Sequence, residues 1–268
     1  MTKAPDELLA LRIGATSVGE NLRRAVESGR LTEADDGTLQ VAKDPKQEIS
    51  WMYVDYGPPL GCGFLIDFMF QHAYTQSAVP DGCSACYKVK VVPRTLRELV
   101  AAWEIGKRIH YRSKWGTDLN NPSSQNIYAG YFYTKGLDGA RTIFKVVREA
   151  FNENPKLGPD IPMTINRRCS EYETILEPSD RYAFTPEMAQ LEADLKSRFR
   201  ERKADYQPSM VAAHWIETAF RIGDDSYLDF TGGKRLRQKT MTYNPAWRRH
   251  SPASSNAAIS GLSRHFPY

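Results

Sequence analysis

The residues most able to do chemistry in this chain are its four cysteines, Cys62, Cys83, Cys86 and Cys169. Two of them stand in "GCSACYKVKVV", residues 82–92. A Cys-x-x-Cys turn aims two thiols at one point, which is why the spacing recurs in zinc and iron–sulfur proteins. The other two lie 21 residues before Cys83 and 83 residues after Cys86. A structural zinc site draws its ligands from two close pairs, whereas one pair with two scattered partners suits a cluster assembled where distant parts of a fold meet. The expected ligand set is Cys62, Cys83, Cys86 and Cys169, holding an iron–sulfur cluster or, as the alternative, zinc. A thioredoxin-type redox pair is disfavoured, because that chemistry places the pair at a helix N-terminus and Cys86 runs into a strand pattern. Buried free cysteine also serves as a small apolar filler, and this is the competing reading for each thiol taken singly.

Around Cys169 the chain reads "NRRCSEYE". Arg168 there could clamp an anionic group by bidentate hydrogen bonds, and Glu171 could act as acid or base; these two are the candidate catalytic residues, with Arg167 and Glu173 beside them. The long polar stretch "HYRSKWGTDLNNPSSQNIYAGYFY" offers Arg112, Lys114 and Asn126 to a small anionic substrate, since long loops inside compact domains commonly bind something. His72 and His110 are reserve ligands. With four thiolates engaged, a cluster would transfer electrons or support the fold; with three, an open iron could act as a Lewis acid. The tight cysteine triplet of radical S-adenosylmethionine enzymes, the dinucleotide and phosphate-binding glycine loops, the nucleophile elbow and the zinc-protease helix are all missing.

The elements that must position these residues follow from periodicity and punctuation. "SVGENLRRAVESG" predicts a helix opened by Ser17 and closed by Gly29, and "EISWMYVDYG" a strand. "FLIDFMFQHAY" is apolar enough for a buried helix or strand, and its pattern does not choose. The middle third predicts strand, helix, strand, helix, strand: "CYKVKVVP", "TLRELVAAWEIGKRIHY" with Thr95 and Glu98 at capping-box spacing, "NIYAGYFYT", "LDGARTIFKVVREAF" and "IPMTINRRC". The last third predicts helices at "PEMAQLEADLKSRFRERKADY", capped by Thr185, and at "SMVAAHWIETAFRIG", then a short strand in "SYLDFTGG". The fold class expected is α+β or α/β, with a central mixed sheet, a helical C-terminal third and an extended basic tail.

This order sets a geometric condition. A strand from Cys86 to Val92 is about 20 Å long at roughly 3.3 Å per residue, so Cys86 at the start of the first strand and Cys169 at the end of the third lie far apart if those strands run parallel. A shared site requires the third strand to run antiparallel to the first, or the Cys83 turn to fold back over the sheet.

Composition bounds the rest. The 268 residues are 41% hydrophobic and 25% charged, as in ordinary soluble globular domains. No apolar run reaches the roughly 18 residues of a membrane span, and the first residues lack a signal-peptide core; four cysteines are too few for a disulfide framework. A cytoplasmic protein with no membrane contact is expected. Of the 36 Lys and Arg residues, seven lie between Phe230 and Tyr268, while all 32 Asp and Glu residues lie before that stretch. The expected organisation is one globular metal-binding domain over residues 1–231 and a basic tail over 232–268. Cations interleaved with Tyr243 and Trp247 would suit a nucleic-acid strand or a protein partner.

Overall fold

The computed structural model describes residues 10–42, 50–54, 61–118, 126–157, 159–176, 178–201 and 207–237. The chain divides into two compact units, Met1–Lys234 and Arg235–Tyr268, and all the described elements belong to the first. The expected tail from residue 238 onward, and most of the helix expected in "APDELLALRI", fall outside the described residues.

Two short antiparallel pairs come first, β1 (Arg12–Ile13) with β2 (Thr16–Ser17) and β3 (Leu31–Glu33) with β4 (Leu39–Val41). Five strands form the central sheet: β5 (Trp51–Val54), β6 (Cys86–Val91), β7 (Ser113–Thr117), β8 (Tyr128–Lys135) and β9 (Met163–Arg167), in the order β5-β7-β8-β6-β9. The architecture is α+β. Every hydrogen-bonded pair in the sheet is antiparallel, where a mixed sheet was expected. The reason is an unforeseen strand: β7 lies inside the polar stretch read from sequence as a loop. Helix α2 (Leu96–Ile109) links β6 to β7 and helix α3 (Gly136–Asn152) links β8 to β9. Each helix joins two strands that run the same way, but a third strand is inserted between them, so no parallel neighbours remain. The unit β6-α2-β7-β8-α3-β9 has the connectivity of the ferredoxin-like split β-α-β arrangement, with β5 added at the β7 edge.

Alternation along the strands divides the sheet into two unlike faces. Val89, Val91, Trp115, Tyr128 and Phe132 point to one side, where they pack with Leu96, Leu99 and Ile105 of α2, Ile143, Val147 and Phe151 of α3, and Val211, Trp215 and Ala219 of α6 (Pro208–Ile222). Thr95 and Thr185 cap their helices as expected, whereas Ser17 stands at the N-cap of the helix Val18–Glu27 without a side-chain cap bond. Thr95 caps α2 by accepting the Glu98 N–H at 3.2 Å. The Glu98 carboxylate reaches past the cap to the Arg94 N–H at 2.7 Å, so the second half of the capping box is displaced by one residue. Trp115 is fully buried and lies flat over Gly130, where a Cβ would come within 2.1 Å of the indole; only glycine lets this ring cross β8. The segment "SYLDFTGG" is not a strand but a 3-10 helix, Asp225–Phe230, because Asp224 caps it by accepting the Ser226 N–H at 3.0 Å.

A second apolar cluster holds α1 (Val18–Glu27), a π-helix (Gly63–Ala73) and α5 (Pro186–Lys196) together with Cys83, Cys169 and Tyr172. The ambiguous "FLIDFMFQHAY" segment is this π-helix, its end marked by the wide Tyr74 N–H to Met69 O bond of 2.7 Å. Buried Asn21 of α1 donates to the Ala73 carbonyl at 2.9 Å, satisfying a group that a helix end leaves open. The π-helix is all but uniformly apolar, which is why periodicity could not assign it.

Candidate functional site

β9 runs antiparallel to β6, pairing Tyr87 with Arg167, and the Arg168 N–H donates to the Cys86 carbonyl at 3.0 Å. The geometric condition for shared ligation is thereby met: the end of β9 delivers Cys169 to the end of the sheet where the Cys83–Cys86 turn sits. Cys62 comes to the same region from the N-cap of the π-helix.

The four thiols are close enough for their charges to act on one another. Burial pushes the Cys62 thiol up to about 11, with the Cys169 charge adding to it, and pushes Cys86 up to about 12 for the same two reasons. Burial also raises Cys83 well above the ordinary thiol range, against a lowering hydrogen bond from Tyr172 and with Cys169, Cys86 and Cys62 adding. Lys88, Lys114 and Arg112 oppose the rise at Cys62. All four are free thiols. Among the described residues no three His, Cys, Asp or Glu side chains stand at metal-ligating separation, so joint ligation requires the thiols to close from the positions they hold here.

The Cys-x-x-Cys turn is gripped from both sides. In front, Glu192 of α5 accepts the Asp81 and Gly82 N–H groups at 2.6 and 2.9 Å and the Tyr74 hydroxyl at 3.0 Å. Behind, Arg168 is 2% exposed, adopts a left-handed backbone at φ 62°, and donates from a guanidinium nitrogen to the Ser84 carbonyl at 3.1 Å. Its guanidinium lies over the Phe184 and Tyr182 rings, at 4.7 and 5.3 Å from their centroids. Arg168 therefore works on the turn from inside and does not face an open surface, where the expected substrate clamp would have to be. Tyr172 completes the grip with a 3.3 Å hydroxyl–sulfur contact to Cys83.

The sheet face opposite the main core carries the rest of the site. Cys86, Lys88 and Lys90 alternate with the core valines along β6; register sets Lys88 beside Tyr133, and Lys90 beside Tyr131, with Lys114 on the far side of Tyr131. Tyr131 donates its hydroxyl to buried Asp118 at 3.0 Å. Burial lowers Lys88 but is outweighed by Cys169, Glu171 and Cys86, with a hydrogen bond to Cys169 adding to the rise. Lys114 is lowered, by burial first and the Lys88 charge second. Burial pushes the Asp67 carboxyl of the π-helix up to about 6; Lys114 opposes this, and Glu171 and Glu201 add to it.

The expected residues thus separate. Cys83, Cys86 and Cys169 come to one end of the sheet, and Cys62 heads the π-helix, without standing at metal-ligating separation, and Arg112, Lys114 and Glu171 act electrostatically on the same region. Arg167 and Glu173 are exposed. His110 closes α2 in a left-handed conformation, and His72 is held neutral by burial and by the Arg30 charge; neither joins the thiols. Sequence reasoning missed Lys88, Lys90, Asp67, Asp118, Glu192 and Tyr172. A signal existed for the two lysines, since Cys86, Lys88 and Lys90 sit at spacing two in a strand and must share a face. None existed for Glu192, a carboxylate between Leu191 and Ala193 whose partners lie more than a hundred residues away.

Comparison with family models, with curated proteins and with solved structures finds no match to this chain. Among the described residues no helix is long and apolar enough to cross a membrane.

Proposed function

We propose that this protein carries a cysteine-ligated metal centre, most readily an iron–sulfur cluster, held by Cys62, Cys83, Cys86 and Cys169 beside a cationic face that receives a small anionic substrate. The observation that carries the reading is that antiparallel β9 brings Cys169 to the end of the sheet where the Cys83–Cys86 turn sits, with Cys62 at the head of the π-helix. Burial raises the Cys62, Cys83 and Cys86 thiols; a metal would supply the deprotonation that burial opposes, and its thiolates would answer buried Lys88 and half-buried Lys114. The grip of Glu192 and Arg168 fixes the turn whose two thiols would bind first, as supporting groups around metal ligands commonly do. A cluster with all four thiolates engaged would transfer electrons or support the fold, and one held by three would leave an iron open to the substrate.

A zinc staple without catalysis is the second reading. Its support is that Cys62 heads the π-helix while Cys86 opens β6 and Cys169 follows β9, so one ion would tie the π-helix to that end of the sheet. Anaerobic purification with metal analysis and a visible spectrum separates the two. Iron with acid-labile sulfide and broad visible absorption is the expected result; a colourless protein with one zinc favours the staple, and a chain that takes up neither metal removes both. Cys169→Ser that keeps full metal content would strike that residue from either ligand set.

A further inference from the structure

Lys88, Lys90 and Lys114 surround one aromatic ring. Their ammonium nitrogens stand 5.3, 5.9 and 5.2 Å from the centroid of Tyr131, and Lys114 is also 4.1 Å from the Trp51 ring centroid. Lys88 is 7% exposed and Tyr131 9%, while Lys90 and Lys114 are half-buried. Among the described residues none of the three ammoniums lies within ion-pairing distance of a carboxylate. Asp118 accepts the Tyr131 hydroxyl and its charge reaches Lys90 and Lys114 from beyond ion-pairing distance, as that of Glu171 reaches Lys88 and Lys114 and that of Lys114 reaches Asp67.

Burying an ammonium costs several kcal/mol unless the charge is answered, and a ring face returns about 0.5–2 kcal/mol, here divided among three. The sheet register nonetheless directs all three to one place: Lys90, Tyr131 and Lys114 form a single row across β6, β8 and β7, and Lys88 comes from the next row. Three like charges at one point are what a doubly charged oxyanion requires. Lysine binds phosphate as a point charge without needing planar geometry.

We propose that Lys88, Lys90 and Lys114 bind the phosphate group of a small phosphorylated ligand, seated on the sheet face at Tyr131 and against Cys169. The inference rests on the metal-centre reading only in placing that ligand beside the thiols; the binding groups are a separate set. Burial of Lys88 and Tyr131 leaves room for a compact group rather than a stacked nucleic-acid strand, which needs exposed rings.

The test is calorimetric titration of the full chain with inorganic phosphate and a phosphate monoester, with acetate and chloride as controls, beside a melting-temperature series in the same anions. Saturable phosphate binding that acetate and chloride do not reproduce is expected, weakened at least tenfold by Lys114→Met and by Lys90→Gln. Removing one of three crowded cations should also raise the melting temperature in phosphate-free buffer while abolishing the rise that phosphate gives the parent protein. That reversal separates a lost ligand site from a damaged fold. Lys90→Gln, at a half-buried position, is the second variant should Lys114→Met not fold. The proposal falls if phosphate does not saturate, if acetate or chloride binds equally, if both variants bind within twofold of the parent, or if an oligonucleotide binds while phosphate and the monoester do not. Metal content is measured on the same samples: phosphate binding without metal overturns the metal centre alone, and metal without phosphate binding overturns this proposal alone.

Discussion

At the scale of single residues, the turn carrying Cys83 and Cys86 depends on two charged side chains that supply no ligand themselves. Glu192→Gln keeps the shape but loses one acceptor oxygen, leaving a part-buried N–H of Asp81 or Gly82 unanswered at about 1 kcal/mol. The expected outcome is a lower melting temperature together with faster alkylation of Cys83, followed by mass spectrometry; unchanged labelling would mean that the carboxylate does not hold the turn. Asp224 does comparable work at the far side of the main core, where it accepts the Leu96 N–H and the Tyr128 hydroxyl at 2.7 and 2.8 Å. Its carboxyl is held below the ordinary range: partial burial would raise it, but the bonds from Ser226, Leu96 and Tyr128 prevail. A depressed carboxyl stabilises fully above its unfolded value, about 3.9, and loses that contribution as pH falls through the lower folded value. Asp224→Asn should therefore cost about 1 kcal/mol at neutral pH, allowing for solvent screening. In denaturant melts the gap to the parent should close in acid; a gap constant with pH would contradict the assignment.

At the scale of elements, the close crossing of Trp115 over β8 decides how the sheet meets its helices. Gly130→Ala places a methyl group where the indole already lies, and overpacking of this kind costs roughly 1–3 kcal/mol or more. Thermal unfolding should fall accordingly, with a changed near-ultraviolet signal from Trp115; an unaltered melt would mean that the strand shifts freely. The strand that carries Trp115 is also the one sequence reasoning passed over. "SKWGT" is five residues with a lysine and a glycine inside a polar stretch, and its strand character comes from pairing with β5 and β8 on both sides. Helices α2 and α3 were legible because their apolar stripes and the Thr95 cap are local. The π-helix was not, because an almost unbroken apolar run has no face to read.

At the scale of the whole molecule, the first unit keeps two apolar clusters, one of which includes Cys83 and Cys169, and a polar sheet face that carries Lys88, Lys90, Lys114 and Tyr131. Truncation after Lys234 should leave the melting temperature of the first unit within about 1 °C of the full chain, since surface changes away from packed features have small effects. If the six cations beyond Lys234 bind nucleic acid, the same truncation removes a salt-dependent affinity whose logarithmic slope is about −0.7 per neutralised phosphate on a single strand. Filter binding at several salt concentrations would measure it, and equal slopes for both proteins would exclude the tail as the contact.

The sequence by itself determined the α+β class, the Thr95 and Thr185 caps and the strand identity of β6, β8 and β9, because these rest on local periodicity, hydrogen-bonding residue types and spacing. Tertiary structure alone decided that β9 runs antiparallel beside β6 and so carries Cys169 to the Cys83–Cys86 turn. It also turned Arg168 inward as a clamp, brought Glu192 to the front of that turn and gathered three lysines around Tyr131. Each of these depends on which strands become neighbours and in what register, a choice made by burying whole faces against one another and not by any residue's near sequence.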